Sequence, residues 1–142
     1  MKFEGQATAA EIKNFQSLIG SLLYLQIGTR PDILFAVSHL AQYTANPSPQ
    51  HLQLAQYILS YLVGTVETHL VYDGASGDGL HGYSDSSLGY QADDRHSTSS
   101  YVFLLANSAI SWSSCKQKTV AQNTTEAEYM AMTDAANQAA WY

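Results

Sequence analysis

Apolar residues recur at Phe15, Leu18, Ile19, Leu22 and Leu23, the spacing of one face of a helix. This predicts a helix from Glu11, with Gly28 as a stop, preceded by a frayed tail over residues 1–10. A second start follows at Thr29-Arg30-Pro31-Asp32: proline suits the first helical position and Asp32 the positive end of the dipole. Ile33, Val37, Leu40, Ala41 and Thr44 continue its apolar face. Asn46-Pro47-Ser48-Pro49 breaks that helix and starts a third, with Ser48 as N-cap. Leu54, Ala55, Ile58, Leu59 and Leu62 form its stripe, and Gly64 stands where a left-handed C-terminal residue is wanted. Residues 11–64 thus read as a three-helix segment.

The periodicity changes at Thr65, and residues 65–142 read as α/β. Thr68 to Tyr72 is short and β-prone, Asp73 to Gly79 a Gly-rich turn, and Leu80 to Asp85 a strand. A polar loop runs from Ser86 to Ser97. Tyr101 to Leu105 and Ala109 to Ser114 form a hairpin about a turn at Asn107-Ser108, with Ile110 and Trp112 on one face. An Ala- and Met-rich helix is expected from Thr124 to about Trp141.

Composition narrows the function classes. Hydrophobic residues make up 46% of the chain, enough for a packed core. Charged residues make up only 13%, which suggests a surface normally covered by another domain or subunit. A net charge of −6 argues against autonomous nucleic-acid binding but is compatible with acids offset by cations. The single cysteine, Cys115, allows no intrachain disulfide and suits a reducing compartment. No signal peptide and no apolar run of roughly 18 residues is present, so an intracellular protein with no membrane partner is expected.

Two acids stand out as candidate chemistry. On a helical wheel, Glu128 lies within about 60° of Ala131, Met132, Ala135, Ala139 and Tyr142, which points it towards the sheet, while Glu126 points to solvent as a first-turn dipole partner. An inward carboxylate requires a partner or a cation. Thr125-x-x-Glu128 equally matches a capping box, so capping and metal binding both remain open. Asp85 closes a strand, where an aspartate can also simply start a turn. Asp93-Asp94-Arg95 reads as a solvated ion pair, and His81 and His96 lack metal-ligand spacing. Lys116 and Lys118 form a weak patch that a phosphate backbone could meet. No HExxH, P-loop, paired CxxC or GxSxG motif occurs.

The order of the segments resembles a known family. YSD at 83–85, DDRHSTSSYVFLL at 93–105, AISWSSCKQKTVA at 109–121 and TTEAEYMA at 124–131 are similar to the ribonuclease H domain of copia-type LTR retrotransposon Pol polyproteins. FQSLIGSLLYL at 15–25, TRPDILFAVSHLAQY at 29–43 and YILSYLVGT at 57–65 resemble the reverse transcriptase connection or thumb of the same polyproteins. The resemblance implies a ribonuclease H-like mixed sheet with one packed helix, preceded by three helices. It also implies cleavage of RNA in RNA–DNA hybrids with Mg²⁺ ions held by four carboxylates. Asp85 matches the family's first-strand Asp and Glu128 its helix Glu. The third and fourth acids lie beyond the last residue given, so two of four ligands are expected here, with an open sheet edge and no turnover by these residues alone. SDSSLGY lacks the second Asp and the Trp that often follow the first Asp, and Ser100 replaces a common Gly. The implied partners are an RNA–DNA hybrid, the polymerase and the rest of the ribonuclease H domain. A non-catalytic module that binds a protein partner is the alternative.

Overall fold

The computed structural model describes residues 5–75, 79–89 and 95–142. It divides into two units, Met1–His69 and Leu70–Tyr142.

The first unit is helical. α1 spans Ala9–Gly28, a 3₁₀ turn spans Pro31–Ile33, α2 spans Leu34–Ala41 and α3 spans Pro49–Gly64. α1 starts earlier than the apolar pattern predicts because Thr8 and Glu11 form a capping box: Thr8 N–H donates to Glu11 Oε2 at 2.8 Å and Glu11 N–H to Thr8 Oγ1 at 3.3 Å. The residues before it are docked, since Ala7 N–H donates to Asn46 Oδ1 at 2.9 Å and Asn46 Nδ2 to Gly5 O at 2.9 Å. The tail over residues 5–8 is therefore not frayed; residues 1–4 lie outside the described residues.

The core joins Phe15, Ile19 and Leu22 to Ile33, Val37, Leu40, Ala55 and Ile58. On α3 the buried line runs through His51, Ala55 and Ile58, while Leu54 is half exposed. The expected stripe was thus rotated, because a buried histidine carries no apolar signal. Gly64 is the last helical residue and has no positive φ, so the expected left-handed cap does not form. Arg30 instead ties the end of α3 to the 3₁₀ turn. Its Nη2 donates to Asp32 Oδ2 at 2.8 Å and to Thr65 Oγ1 at 2.6 Å, and its Nε to Asp32 Oδ1 at 3.0 Å. The Arg30 hydrogen bonds, with help from Tyr61, hold the Asp32 carboxyl below its ordinary range.

The second unit is a three-stranded antiparallel sheet, ordered β1 (His81–Ser87), β2 (Thr98–Leu105), β3 (Ser108–Lys116), with α4 (Thr124–Ala139) packed on β1 and β2. The chain is therefore of mixed α and β class, as expected, but the described strands are all antiparallel rather than mixed. The β2–β3 turn centres on Ala106 (φ 51°) and Asn107 (φ 62°), one residue earlier than predicted. Two consecutive positive φ values match the right-handed twist of a hairpin. The predicted strand at Thr68 to Tyr72 does not form. Val71 is exposed and has no face to bury, and the segment is held at the hairpin end by Tyr72 Oη–Ala109 O (2.8 Å) and Asp73 N–Ala106 O (3.0 Å).

This unit buries little bulk. Among its described residues Phe103 is the one large apolar side chain that is buried; Ala109, Ala121, Ala127 and Ala131 are the other buried apolar residues.

Candidate functional site at the free edge of strand β1

α4 is fixed on the sheet by both ends. At its start, Gln117 Nε2 donates to Ala127 O at 2.8 Å and to Ser99 Oγ at 2.9 Å. At its finish, the rings of Phe103 and Tyr142 lie 5.6 Å apart, and Tyr101 Oη donates to Gln138 Oε1 at 3.4 Å. The helix consequently runs parallel to β2 and antiparallel to β1. Ser99 pairs with Ser86, so the first turns of α4 lie over the end of β1 that carries Asp85.

The helix buries Ala127 and Ala131, a stripe of methyl groups that suits close packing on β1 and β2. Met130, Thr133 and Asp134 face a cavity of about 510 Å³ beside β3. Glu128 lies roughly 120–160° around the axis from those three, on the flank turned towards β1. It is exposed, not aimed into the sheet. The wheel built from the sequence was offset because Met132 and Tyr142, the bulky residues that defined it, are both more than half exposed. Alanines carry the contact, and their hydropathy is too weak to mark it.

The capping-box expectation for Thr125 and Glu128 is also corrected. Asn123 is the N-cap and accepts from Glu126 N–H at 2.8 Å, and Glu126 Oε2 accepts from Gln122 N–H at 2.7 Å. The signal was present two residues earlier, in Asn123-x-x-Glu126. Glu126 is therefore a structural acid, and Glu128 is left out of the cap.

Asp85 is exposed and stands opposite Ser100, whose hydroxyl donates to Asp85 O at 3.3 Å. Strand alternation places Asp85 with Tyr83 on the face away from α4, while Gly82, Ser84 and Ser86 face the helix. Asp85 thus lies on the sheet face away from α4, and Glu128 is an exposed residue in the first turns of α4. Carboxylate oxygens suit Mg²⁺. Yet among the described residues no three His, Cys, Asp or Glu side chains gather as a metal-binding group. These residues do not fit a resident Mg²⁺ by themselves, and no reaction step is assigned to them alone.

The remaining candidates have local roles. His96 Nδ1 lies 2.8 Å from Gln117 O, His81 is exposed on β1, and Cys115 is exposed. Lys116 and Lys118 line the cavity beside β3. Asp93 and Asp94 lie outside the described residues. Gln117, the residue that orients α4, had no sequence signal beyond a polar position after a strand. Among the described residues no helix is long and apolar enough to cross a membrane.

Comparison with known proteins places the chain. The retrovirus-related Pol polyprotein from transposon TNT 1-94 of Nicotiana tabacum is 40% identical over 127 residues, covering 89% of this chain and 10% of that protein. The Pol polyprotein from transposon RE1 of Arabidopsis thaliana is 39% identical over 127 residues, again 89% of this chain and 9% of that protein. This chain belongs to the copia-type retrotransposon Pol polyprotein family. It spans about a tenth of the length of those two polyproteins. A further relative of this copia-type chain, secreted RxLR effector protein 161 of Plasmopara viticola, is 40% identical over 127 residues and is covered to 89% of its length. No family model matches, and no solved structure matches.

Proposed function

We propose that the second unit is the opening part of a ribonuclease H domain, preceded by reverse transcriptase connection material. In this reading Asp85 and Glu128 are two of its metal-binding carboxylates. The observation that carries it is the similarity to Pol polyproteins along 89% of the chain. Three further features support it. Among the described residues no strand pairs with the outer edge of β1, which a further strand can occupy. Among the described residues the unit buries one phenylalanine and four alanines as its apolar core, too little for a robust domain. Asp85 and Glu128 are both exposed. A docking strand that carries another acid turns these two carboxylates into a ligand set. The substrate is then RNA in an RNA–DNA hybrid.

The test is a hybrid-cleavage assay with Mg²⁺. These 142 residues alone are compared with the same residues joined to the following ribonuclease H segment of the TNT 1-94 polyprotein. No cleavage alone, and Mg²⁺-dependent cleavage by the joined chain, is expected. Cleavage by the joined chain that survives both Asp85→Asn and Glu128→Gln overturns the assignment.

A second reading follows from one observation. The Plasmopara relative has nearly the same span as this chain, so this stretch also occurs outside a full polyprotein. In that reading the outer β1 edge of this chain serves as a docking site for a protein partner, without cleavage. Robust hybrid cleavage by the joined chain favours the first reading.

A further inference from the structure

The start of α3 is closed by a histidine in the place where a capping box usually has Glu or Gln. Ser48 N–H donates to His51 Nδ1 at 3.0 Å, and His51 N–H donates back to Ser48 Oγ at 3.2 Å. Both residues are buried. The imidazole stacks on Tyr43, with ring centroids 4.0 Å apart and planes at 20°. His39 lies on from Tyr43 at 5.7 Å, and Phe35 extends the row of rings at 6.2 Å from His39. The bond from Ser48 needs a lone pair on Nδ1. The ring must therefore be neutral with its proton on Nε2. Protonation sets one N–H against another.

Among the described residues the surroundings offer an imidazolium no free anion. α3, Pro49–Gly64, contains no Asp, Glu, Lys or Arg, and neither does α2, Leu34–Ala41. α2 and the turn after it present His39 and Tyr43. From α1, Glu11 borders the small cavity beside Ser48, but its Oε2 is taken by Thr8 N–H at 2.8 Å and Thr8 Oγ1–H at 2.7 Å. The positive end of the α3 dipole opposes a cation at this position. Burial, and then the positive charges of the amino terminus and His39, hold His51 below its ordinary value of 6.5.

We propose that His51 is a proton-sensitive latch between α2 and α3: neutral, it closes the first turn of α3; protonated, it releases Ser48 and Tyr43 and loosens the helical unit. With the folded value depressed, the unfolded chain takes up more protons in the acid range. The latch is complete above about pH 6.5 and weakens as pH falls from there towards the folded value.

The experiment uses the full chain at pH 7.5 and 5.0. Imidazole nitrogen shifts report the tautomer, and amide hydrogen exchange, corrected for intrinsic rate, reports opening of α3. The expected result is the Nε2–H tautomer at pH 7.5 and a loss of α3 protection at pH 5.0 of up to about 30-fold, the limit for a ring that stays neutral while folded. His51→Gln keeps an acceptor for Ser48 N–H and does not titrate, so α3 protection in that variant should be the same at both pH values after correction. An Nδ1–H tautomer in the native chain, or an unchanged pH response in His51→Gln, overturns the proposal. The tautomer measurement decides alone should the variant fail to fold.

Discussion

Gly82 sets how closely β1 and the Phe103 ring can share one face of the sheet, and its replacement by alanine has a calculable effect. A Cβ at Gly82 would stand 2.4 Å from Phe103 Cε1, 2.8 Å from Cδ1 and 3.1 Å from Cζ. The ring cannot move freely. It is 5% exposed and held between Tyr101 and Tyr142, each with its centroid 5.6 Å away. Forcing a methyl group into such a site costs about 1–3 kcal/mol. Alanine regains about 0.5–1 kcal/mol over glycine in a strand interior. Overpacking wins, and Gly82→Ala should destabilise the second unit by about 1–2 kcal/mol, or roughly 5–30-fold in its unfolding constant. Urea unfolding followed by tryptophan fluorescence reads this unit alone, because both tryptophans, Trp112 and Trp141, belong to it. In a Phe103→Leu background the ring edge is gone and Gly82→Ala should become neutral or stabilising, a coupling of about 1–2 kcal/mol. An equal cost in both backgrounds, or stabilisation of the parent, refutes the packing of this sheet face and with it the placement of α4.

Two further outcomes follow from the geometry. Ala106 sits at φ 51° in the β2–β3 turn, a conformation that strains a Cβ, so Ala106→Gly should stabilise the second unit by about 0.5–1 kcal/mol in the same urea assay. Asp32→Asn removes the charged partner of Arg30; with the Asp32 side chain 34% exposed, the loss is discounted to about 1–2 kcal/mol at pH 7, seen as reduced helical stability by circular dichroism. Because the folded Asp32 value is lowered from 3.8, its contribution is whole above about pH 4 and disappears as pH falls through the folded value. Asp32→Asn should flatten that acid-side decline.

The helices and the hairpin were legible because their signals are local. Pro31, Ser48 and Pro49 mark helix starts, and Phe15, Ile19 and Leu22 recur at helical spacing and are buried. What was missed depends on contacts that hydropathy does not encode. A buried His51 rotated the α3 stripe, and Ala127 and Ala131 rotated α4. Asn123 took the cap that Thr125 was expected to form, leaving Glu128 outside it. Asp85 and Glu128 were nameable because they sit inside strings shared with a family. That Asp85 lies on the sheet face away from α4 follows from strand register, which only the fold reveals.

The central claim is that Asp85 and Glu128 act as one unit once a further strand completes β1. Its most direct test is a double-mutant cycle in hybrid cleavage by the chain joined to the following ribonuclease H segment. Asp85→Asn and Glu128→Gln should each reduce Mg²⁺-dependent cleavage to near background, and the double variant should be no worse than either, as for groups that work together. Separate, additive losses from the two substitutions, or full cleavage by either single variant, would contradict the account.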